Sequence, residues 1–311
     1  MILTVTLNAA LDVTYFVDAL VPLASHRVDE VHERAGGKGI NVARVLGALG
    51  CPVTVTGLVG GATGALLRRE LGTAGLHDSL VPITGDSRRT VTVVSRRDGD
   101  ATVFNETGPV VQPGEWRAFT DRYALLVRDA DVVVLAGSLP PGLPEDAYAQ
   151  LVTTAAAAGA VTVLDTSGPP LLAALAAGPD VVKPNAAELA AVTGQPDTVL
   201  AAAALRALGA SVVVASSGPD GLLAITPDGS WQAAPPAQLS GNPTGAGDAC
   251  VAALAAGLAV GAPWPEVLRE AVALSAAAVP CPVAGDFDTA IYHRLRTTVP
   301  VEETHAARTH R

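Results

Sequence analysis

The chain has 311 residues, with 30 acidic and 20 basic side chains and a formal net charge of −10; this balance argues against a nucleic-acid or anionic-membrane surface but leaves room for a local basic pocket. Hydrophobic residues make up 49% of it and aromatics only 4%, so the core has to be built from Ala, Val and Leu, which suits helices packed closely on a sheet in one large or two small α/β domains. The three cysteines, Cys51, Cys250 and Cys281, form no CxxC pair and suggest neither a disulfide framework nor a zinc site. The chain opens without a basic n-region, Asp12 interrupts its first apolar run, and residues 249–265 are mostly small, with prolines at the end. A soluble, cytoplasmic protein is expected.

Residues 12–33 mix polar and β-branched side chains and read as strands of a small β-structure. Gly36-Gly37-Lys38-Gly39-Ile40-Asn41 then leads into an apolar helical run over 42–49. This is not a Walker A loop, because His32 stands where its first glycine would be and Gly39 replaces the Ser or Thr that would hold magnesium. It can still bind an anion: the glycines let backbone approach a ligand, Lys38 supplies a point charge, and Asn41 can donate and accept hydrogen bonds to a sugar hydroxyl. A helix-start turn with a solvated lysine is the plainer reading.

From Val53 onward, short β-branched runs alternate with Ala/Leu-rich ones: 53–58 with 62–74, 131–136 with 144–158, and 161–165 with 171–177. The run Val132-Val133-Val134-Leu135 has no polar alternation and predicts a strand covered on both faces, as in a parallel sheet between helix layers. Residues 89–106 break the pattern, with a hairpin turn expected at 96–100. Segments 12–34 and 88–106 together are expected to form a β-sheet lid projecting from a doubly wound α/β core. The polar tail, 300–311, lacks a periodic apolar face and is expected to fray.

In doubly wound sheets, ligands bind beyond the carboxyl ends of the strands, where this chain places 137–142, 165–168, 183–185 and 216–221. Arg88 follows the turn Gly85-Asp86-Ser87, which could present its guanidinium to a phosphate bidentately; Arg27 is a similar candidate. Asn185 and Glu188, one helical turn apart, could position magnesium-bound water or phosphate oxygens, or act simply as an N-cap and a first-turn acid. Ser216, Gly218 and Gly221 suit a nucleotide edge or a plain connection. Asp165-Thr166-Ser167-Gly168 looks like many strand-end loops. The most informative stretch is Asn242-Pro243-Thr244-Gly245-Ala246-Gly247-Asp248, which runs into an apolar helix over 249–260. The amides of Gly245, Ala246 and Gly247 at a helix N-terminus can hold a phosphate, with Asp248 in the first turn beside a hydroxyl that could accept it.

These elements resemble the PfkB family of carbohydrate kinases, whose fold is related to ribokinase. The resemblance rests on Gly36-Gly37-Lys38-Gly39-Ile40-Asn41-Val42-Ala43-Arg44 and Pro243-Thr244-Gly245-Ala246-Gly247-Asp248, and covers roughly residues 1–296. Thr6-Leu7-Asn8-Ala9-Ala10-Leu11-Asp12, Ser87-Arg88, Asn105-Glu106-Thr107-Gly108-Pro109, Gly137-Ser138-Leu139-Pro140-Pro141-Gly142 and Lys183-Pro184-Asn185-Ala186-Ala187-Glu188 are similar to the branch acting on phosphorylated sugars, 1-phosphofructokinase and tagatose-6-phosphate kinase. The resemblance implies a single kinase domain over 1–311, ATP and Mg2+ as cofactors, a ketohexose phosphate as substrate, and a homodimer formed through the β-lid. The leading substrate is fructose 1-phosphate, phosphorylated to fructose 1,6-bisphosphate, with tagatose 6-phosphate or fructose 6-phosphate as the alternative. The resemblance implies Asp248 as general base, with the amides of Gly245, Ala246, Gly247 and Asp248 as an anion hole. Asp12, Gly37, Gly39 and Asn41 would hold the sugar, and Lys38, Arg88 and Ser138 its phosphate, with Arg27 contributing from the lid. Lys183, Asn185, Glu188, Ser216, Gly218 and Gly221 would serve the nucleotide, Glu188 reaching the metal through water. The chain departs from the family pattern at Ala9, at Ala278, where many relatives carry Asn, and at Val283-Ala284, which bears on nucleotide preference. A kinase of an unphosphorylated sugar would leave Lys38 and Arg88 without a partner, and a silent sugar-phosphate sensor would need no base.

Overall fold

The computed structural model describes residues 1–97 and 99–304. Strand β1 (Ile2–Thr6) leads to β2 (Ala10–Val17) and β3 (Glu30–Gly36), followed by α1 (Lys38–Ala48), β4 (Val53–Gly60) and α2 (Gly61–Thr73). Two short strands, β5 (His77–Asp78) and β6 (Val81–Ile83), precede β7 (Arg88–Ser95) and β8 (Ala101–Asn105). The alternation then runs through α3 (Pro113–Leu126), β9 (Val132–Ala136), α4 (Ala147–Ala158), β10 (Val161–Asp165), α5 (Pro169–Leu175) and β11 (Val181–Val182). The chain continues through α6 (Ala186–Thr193), α7 (Thr198–Ala207), β12 (Val212–Ser216), β13 (Leu222–Ile225), β14 (Ser230–Ala233), α8 (Ala246–Ala259), α9 (Trp264–Ala278), α10 (Thr289–Thr298) and β15 (Val301–Thr304).

The central sheet runs β15-β14-β13-β12-β11-β10-β9-β1-β4-β5, with β6 paired to the far end of β4. It is parallel from β12 to β5 and antiparallel beyond β12. Successive side chains of a strand point to opposite faces, so the uninterrupted apolar runs feed two cores. Val132 and Val134 join α1, α8 and α9 on one face, while Val133 and Leu135 meet Phe119, Tyr123, Tyr148 and Leu151 on the other. Helix α8 is buried almost all round its first two turns, which only small residues permit where α1 and α9 both pack against it. No helix of the described residues is long and apolar enough to cross a membrane.

The segments that break the alternation form a separate four-strand sheet in the order β3-β2-β7-β8. Leu11, Val13 and Val91 pack its base against Leu67 and Leu71 of α2, whereas Asp12, Thr14, Arg34, Thr90 and Thr92 line the cleft. The β7–β8 connection holds the expected hairpin turn, although Asp98 lies outside the described residues. The frayed tail is corrected in part: Val301–Thr304 forms an antiparallel edge strand on β14, with Val301 opposite Ala233. That pairing depends on a strand edge about seventy residues upstream, which the tail's own composition does not show; 305–311 lie outside the described residues.

Candidate active site

The order of β4, β1 and β9 reverses the chain direction across the sheet at β1, and the carboxyl ends of β1, β9, β10, β11 and β12 open into one cleft of about 1840 Å³. That exceeds the ~300–1,000 Å³ of a pocket for one small ligand and leaves room for two reactants side by side. Its lining brings Asp12, Gly37, Lys38, Asn41, Arg88, Ser138, Lys183, Asn185, Glu188, Ser216, Gly218, Gly221, Gly245, Ala246, Gly247 and Asp248 to a common space.

Gly245 is the N-cap of α8, with φ +91; a Cβ there would lie 2.8 Å from Ala284 Cα, so both backbone conformation and space require glycine. The amide of Ala246 donates to Pro243 O (3.1 Å), which closes the turn and narrows the expected anion hole. The N–H groups of Gly245, Gly247 and Asp248 carry no protein partner among the described residues and remain open at the positive end of the helix. Asp248 is 7% exposed, and Asn41 Nδ2 donates to its Oδ2 (2.8 Å). Burial, then the nearby Asp165 carboxylate, push its pKa up to about 7, against the lowering effects of Asn41, Lys38 and Lys183. A carboxylate poised near neutrality is suited to taking a proton from an alcohol.

Asp165, which sequence reasoning left as an ordinary strand-end residue, is 2% exposed and holds both lysines of the cleft. Lys38 Nζ donates to its Oδ1 (3.1 Å), and Lys183 Nζ lies 3.6 Å from the same oxygen. Burial works to lower the pKa of Lys183, but Asp165, then Cys250, Glu188 and Asp248, outweigh it and the net shift is upward. The ammonium also borders the anion loop, 3.6 Å from where a Cβ on Gly247 would sit. The only sequence signal for Asp165 was an acid ending an otherwise apolar strand.

On the other side of the cleft, Asp12 hydrogen-bonds Thr90 on the neighbouring strand, and burial raises its pKa to about 6 despite Arg88, Arg44 and Arg34. Arg88 donates through Nε to Asn8 O (3.1 Å) and through Nη1 to Thr90 Oγ1 (3.2 Å). Burial lowers its pKa, while Asp12 and Glu106 work to raise it. Asn8 Nδ2 donates to both Thr107 O and Ser138 Oγ (3.1 Å each), joining the small sheet to the loop after β9. Gly39 does not border the cleft: a Cβ there would sit 2.5 Å from Thr6 Oγ1 and 2.7 Å from Val5 O, so this glycine lets α1 lie on β1. Arg27 lies in the exposed β2–β3 connection, outside the cleft lining.

The geometry shows the N-cap reading of Asn185 and Glu188. Glu188 N donates to Asn185 Oδ1 (2.8 Å) and Asn185 N donates to Glu188 Oε2 (2.9 Å), a capping box that starts α6. Both side chains nonetheless line the cleft, and Glu188 Oε1 accepts no protein hydrogen bond among the described residues. Asn185 forms a parallel bridge with Ser216, placing Gly218 and Gly221 along the same rim. Among the described residues no cluster of three His, Cys, Asp or Glu could hold a metal.

A basic acceptor side, a buried near-neutral carboxylate and open helix amides on one cleft are the parts a phosphoryl transfer to an alcohol requires. The comparisons agree. A 1-phosphofructokinase of Xanthomonas campestris pv. campestris is 43% identical over 265 residues, covering 82% of this chain and 83% of the relative. A 1-phosphofructokinase of Rhodobacter capsulatus is 39% identical over 284 residues, 89% of this chain and 90% of the relative. The crystal structure of phosphofructokinase-2 from Escherichia coli in complex with potassium superposes with a TM-score of 0.90 at 31% identity, over 95% of this chain and 98% of that one. The family model described as pfkB family carbohydrate kinase matches residues 4–289, and the chain belongs to that family.

Proposed function

We propose that this protein transfers the γ-phosphoryl group of ATP to a ketohexose phosphate, with fructose 1-phosphate phosphorylated at its 6-hydroxyl to fructose 1,6-bisphosphate as the leading substrate. The observation that carries this reading is the buried Asp248, with a pKa of about 7, beside the open amides of Gly245 and Gly247 and across the cleft from Arg88. The names of the two relatives above favour fructose 1-phosphate as the acceptor.

Arg88 and Lys38 bind the phosphate already on the sugar, with Ser138 as a further donor, and Asp12 and Asn41 orient its hydroxyls. Asp248 takes the hydroxyl proton as the oxygen attacks the γ-phosphorus in line, and the bond from that phosphorus to the β-phosphate bridging oxygen breaks to release ADP. The amides of Gly245, Gly247 and Asp248 stabilise the charge on the equatorial oxygens, and Lys183 adds a cation beside them. Ser216, Gly218 and Gly221 form the nucleotide rim. One carboxylate oxygen on Glu188 without a protein partner, and no cluster of three His, Cys, Asp or Glu among the described residues, fit Mg2+ held chiefly by substrate phosphates and water; Glu188 would reach the ion through water, and the ion would neutralise triphosphate charge.

The small sheet is read as a lid over the acceptor side and as the surface of a homodimer. Its exposed Val31 and Phe104 and the exposed Arg27 connection support that reading, and light scattering of the full chain tests it. A cytoplasmic location is part of the same reading, supported by the charge of ATP and a sugar phosphate, which keeps both inside a cell. A coupled ADP-release assay with ATP and Mg2+ across fructose 1-phosphate, fructose 6-phosphate, tagatose 6-phosphate, fructose and ribose tests the reaction. Fastest turnover of fructose 1-phosphate is expected; binding of sugar phosphates with no turnover would mark a sensor, and preference for fructose or ribose would refute the phosphate-binding role.

A further inference from the structure

One side-chain clasp on the cleft takes no part in the steps above. Arg34, near the end of β3, stands opposite Asp12 in the β2–β3 register. Its guanidinium crosses to a segment 252 residues away, where Nη1 and Nη2 donate to the two oxygens of Asp286 at 2.8 and 2.6 Å and Nη1 also donates to Ala284 O at 3.3 Å. Such a paired geometry fixes orientation as well as distance. Ala284 in turn backs the anion loop, with its Cα 2.8 Å from where a Cβ on Gly245 would sit. Arg34 is also close enough to Asp12 to bear on its protonation.

The clasp is not needed to hold β3 in place. Arg44 already ties that end of the strand to α2, donating to Ala35 O and to Glu70, while Ala35 N donates to Glu70 Oε2 at 3.0 Å. A partly exposed pair adds little to stability by itself: the Arg34 side chain is 21% exposed and that of Asp286 45%. This pair joins the strand next to the acceptor-binding Asp12 with the backing of the anion loop by side-chain hydrogen bonds that no other β3 residue makes among the described residues.

We propose that Arg34 and Asp286 form a positioning latch that couples the two halves of the cleft, an inference that rests on the phosphoryl-transfer reading above. Sugar phosphate bound at Asp12 and Arg88 holds the small sheet in register, Arg34 transmits that position to residues 284–286, and these press Gly245 into the geometry that receives the transferred group. By linkage, acceptor then tightens nucleotide binding and nucleotide tightens acceptor binding by the same factor.

The test is calorimetric titration of the full chain with a non-hydrolysable ATP analogue and Mg2+, with and without saturating fructose 1-phosphate. It compares wild type, Arg34→Gln, Asp286→Asn and the charge-swapped double variant Arg34→Asp/Asp286→Arg. The wild type is expected to show a coupling factor within the usual ~5–150-fold range, each single variant a factor near one, and the swapped pair a substantial recovery. Wild-type coupling in either single variant, or no recovery in a swapped protein that melts at the wild-type temperature, would overturn the latch. Asp286→Asn, at the more exposed partner, keeps the test decisive if the Arg34 variants fold poorly. Failure of the wild type to turn over any sugar phosphate would instead strike the functional reading, so the two failures are distinguishable.

Discussion

Replacing Asp248 by Asn removes the proposed proton acceptor and keeps the shape that Asn41 grips, because the amide oxygen can accept the same hydrogen bond that Asp248 Oδ2 now takes at 2.8 Å. Loss of general-base help is expected to lower kcat by roughly 10²–10⁴-fold. The same substitution has an opposite effect on stability. The carboxyl ionises at the ordinary aspartate value of 3.8 when unfolded and at about 7 when folded, chiefly through burial and then through Asp165. A raised folded pKa means that the group's contribution is fully present below pH ~4 and is lost as pH climbs to about 7. At ~1.4 kcal/mol per unit over roughly three units, the loss above pH 7 is about 4 kcal/mol at most. Asn carries no charge and escapes that loss, so the variant should be more stable than wild type at pH 8 and gain nothing at pH 4. Denaturant titrations at the two pH values, with coupled ADP-release kinetics, measure both effects. The wild-type kcat/KM should rise with pH through about 7 as the carboxylate forms. Turnover within about threefold of wild type, against the range above, or a variant less stable than wild type at pH 8, would refute the reasoning.

Asp165→Asn leaves Lys38 and Lys183 without their shared carboxylate, and breaking a buried pair should cost about 3–5 kcal/mol in denaturant titrations. Because Asp165 helps to raise the pKa of Asp248, the acid limb of the pH–rate profile should also move to lower pH; an unmoved limb contradicts the shared electrostatics. Arg88→Lys removes the planar fork and the Nε bond to Asn8 O, so KM for the sugar phosphate should rise ~10–100-fold, the worth of a hydrogen bond to a charged group, with KM for ATP unchanged in steady-state kinetics. Gly245→Ala meets both a φ of +91 and Ala284 Cα at 2.8 Å. Initial-rate measurements should show a lower kcat together with a higher KM for ATP, and wild-type constants would remove the anion loop from its role.

Much of the core was legible because its signal is local. Val132-Val133-Val134-Leu135 declares a strand covered on both faces, since alternate residues must each find an apolar layer, and Val133 and Val134 do so on opposite sides. The Gly245 loop was equally readable: glycines before a small-residue helix form an N-terminus wherever the helix goes. Asn185 and Glu188 allowed two readings, and the structure shows the capping box, which uses one carboxylate oxygen and leaves the other without a protein partner among the described residues. Asp165 was missed because its meaning depends on Lys38 and Lys183, which only the convergence of β10, β11 and α1 brings to it. The Arg34–Asp286 clasp was hidden for the same reason, across 252 residues, and the edge strand at Val301–Thr304 needs β14 to exist at all. Helix-and-strand alternation, the two glycine-rich loops and the acid at position 248 follow from the order of residues, because propensity, periodicity and helix-end chemistry act between near neighbours. That this acid is gripped by Asn41 and held near neutrality, first by burial and then by the charge of Asp165, comes from the folded arrangement, because desolvation and Coulomb interactions depend on distances in space that the order of residues does not contain.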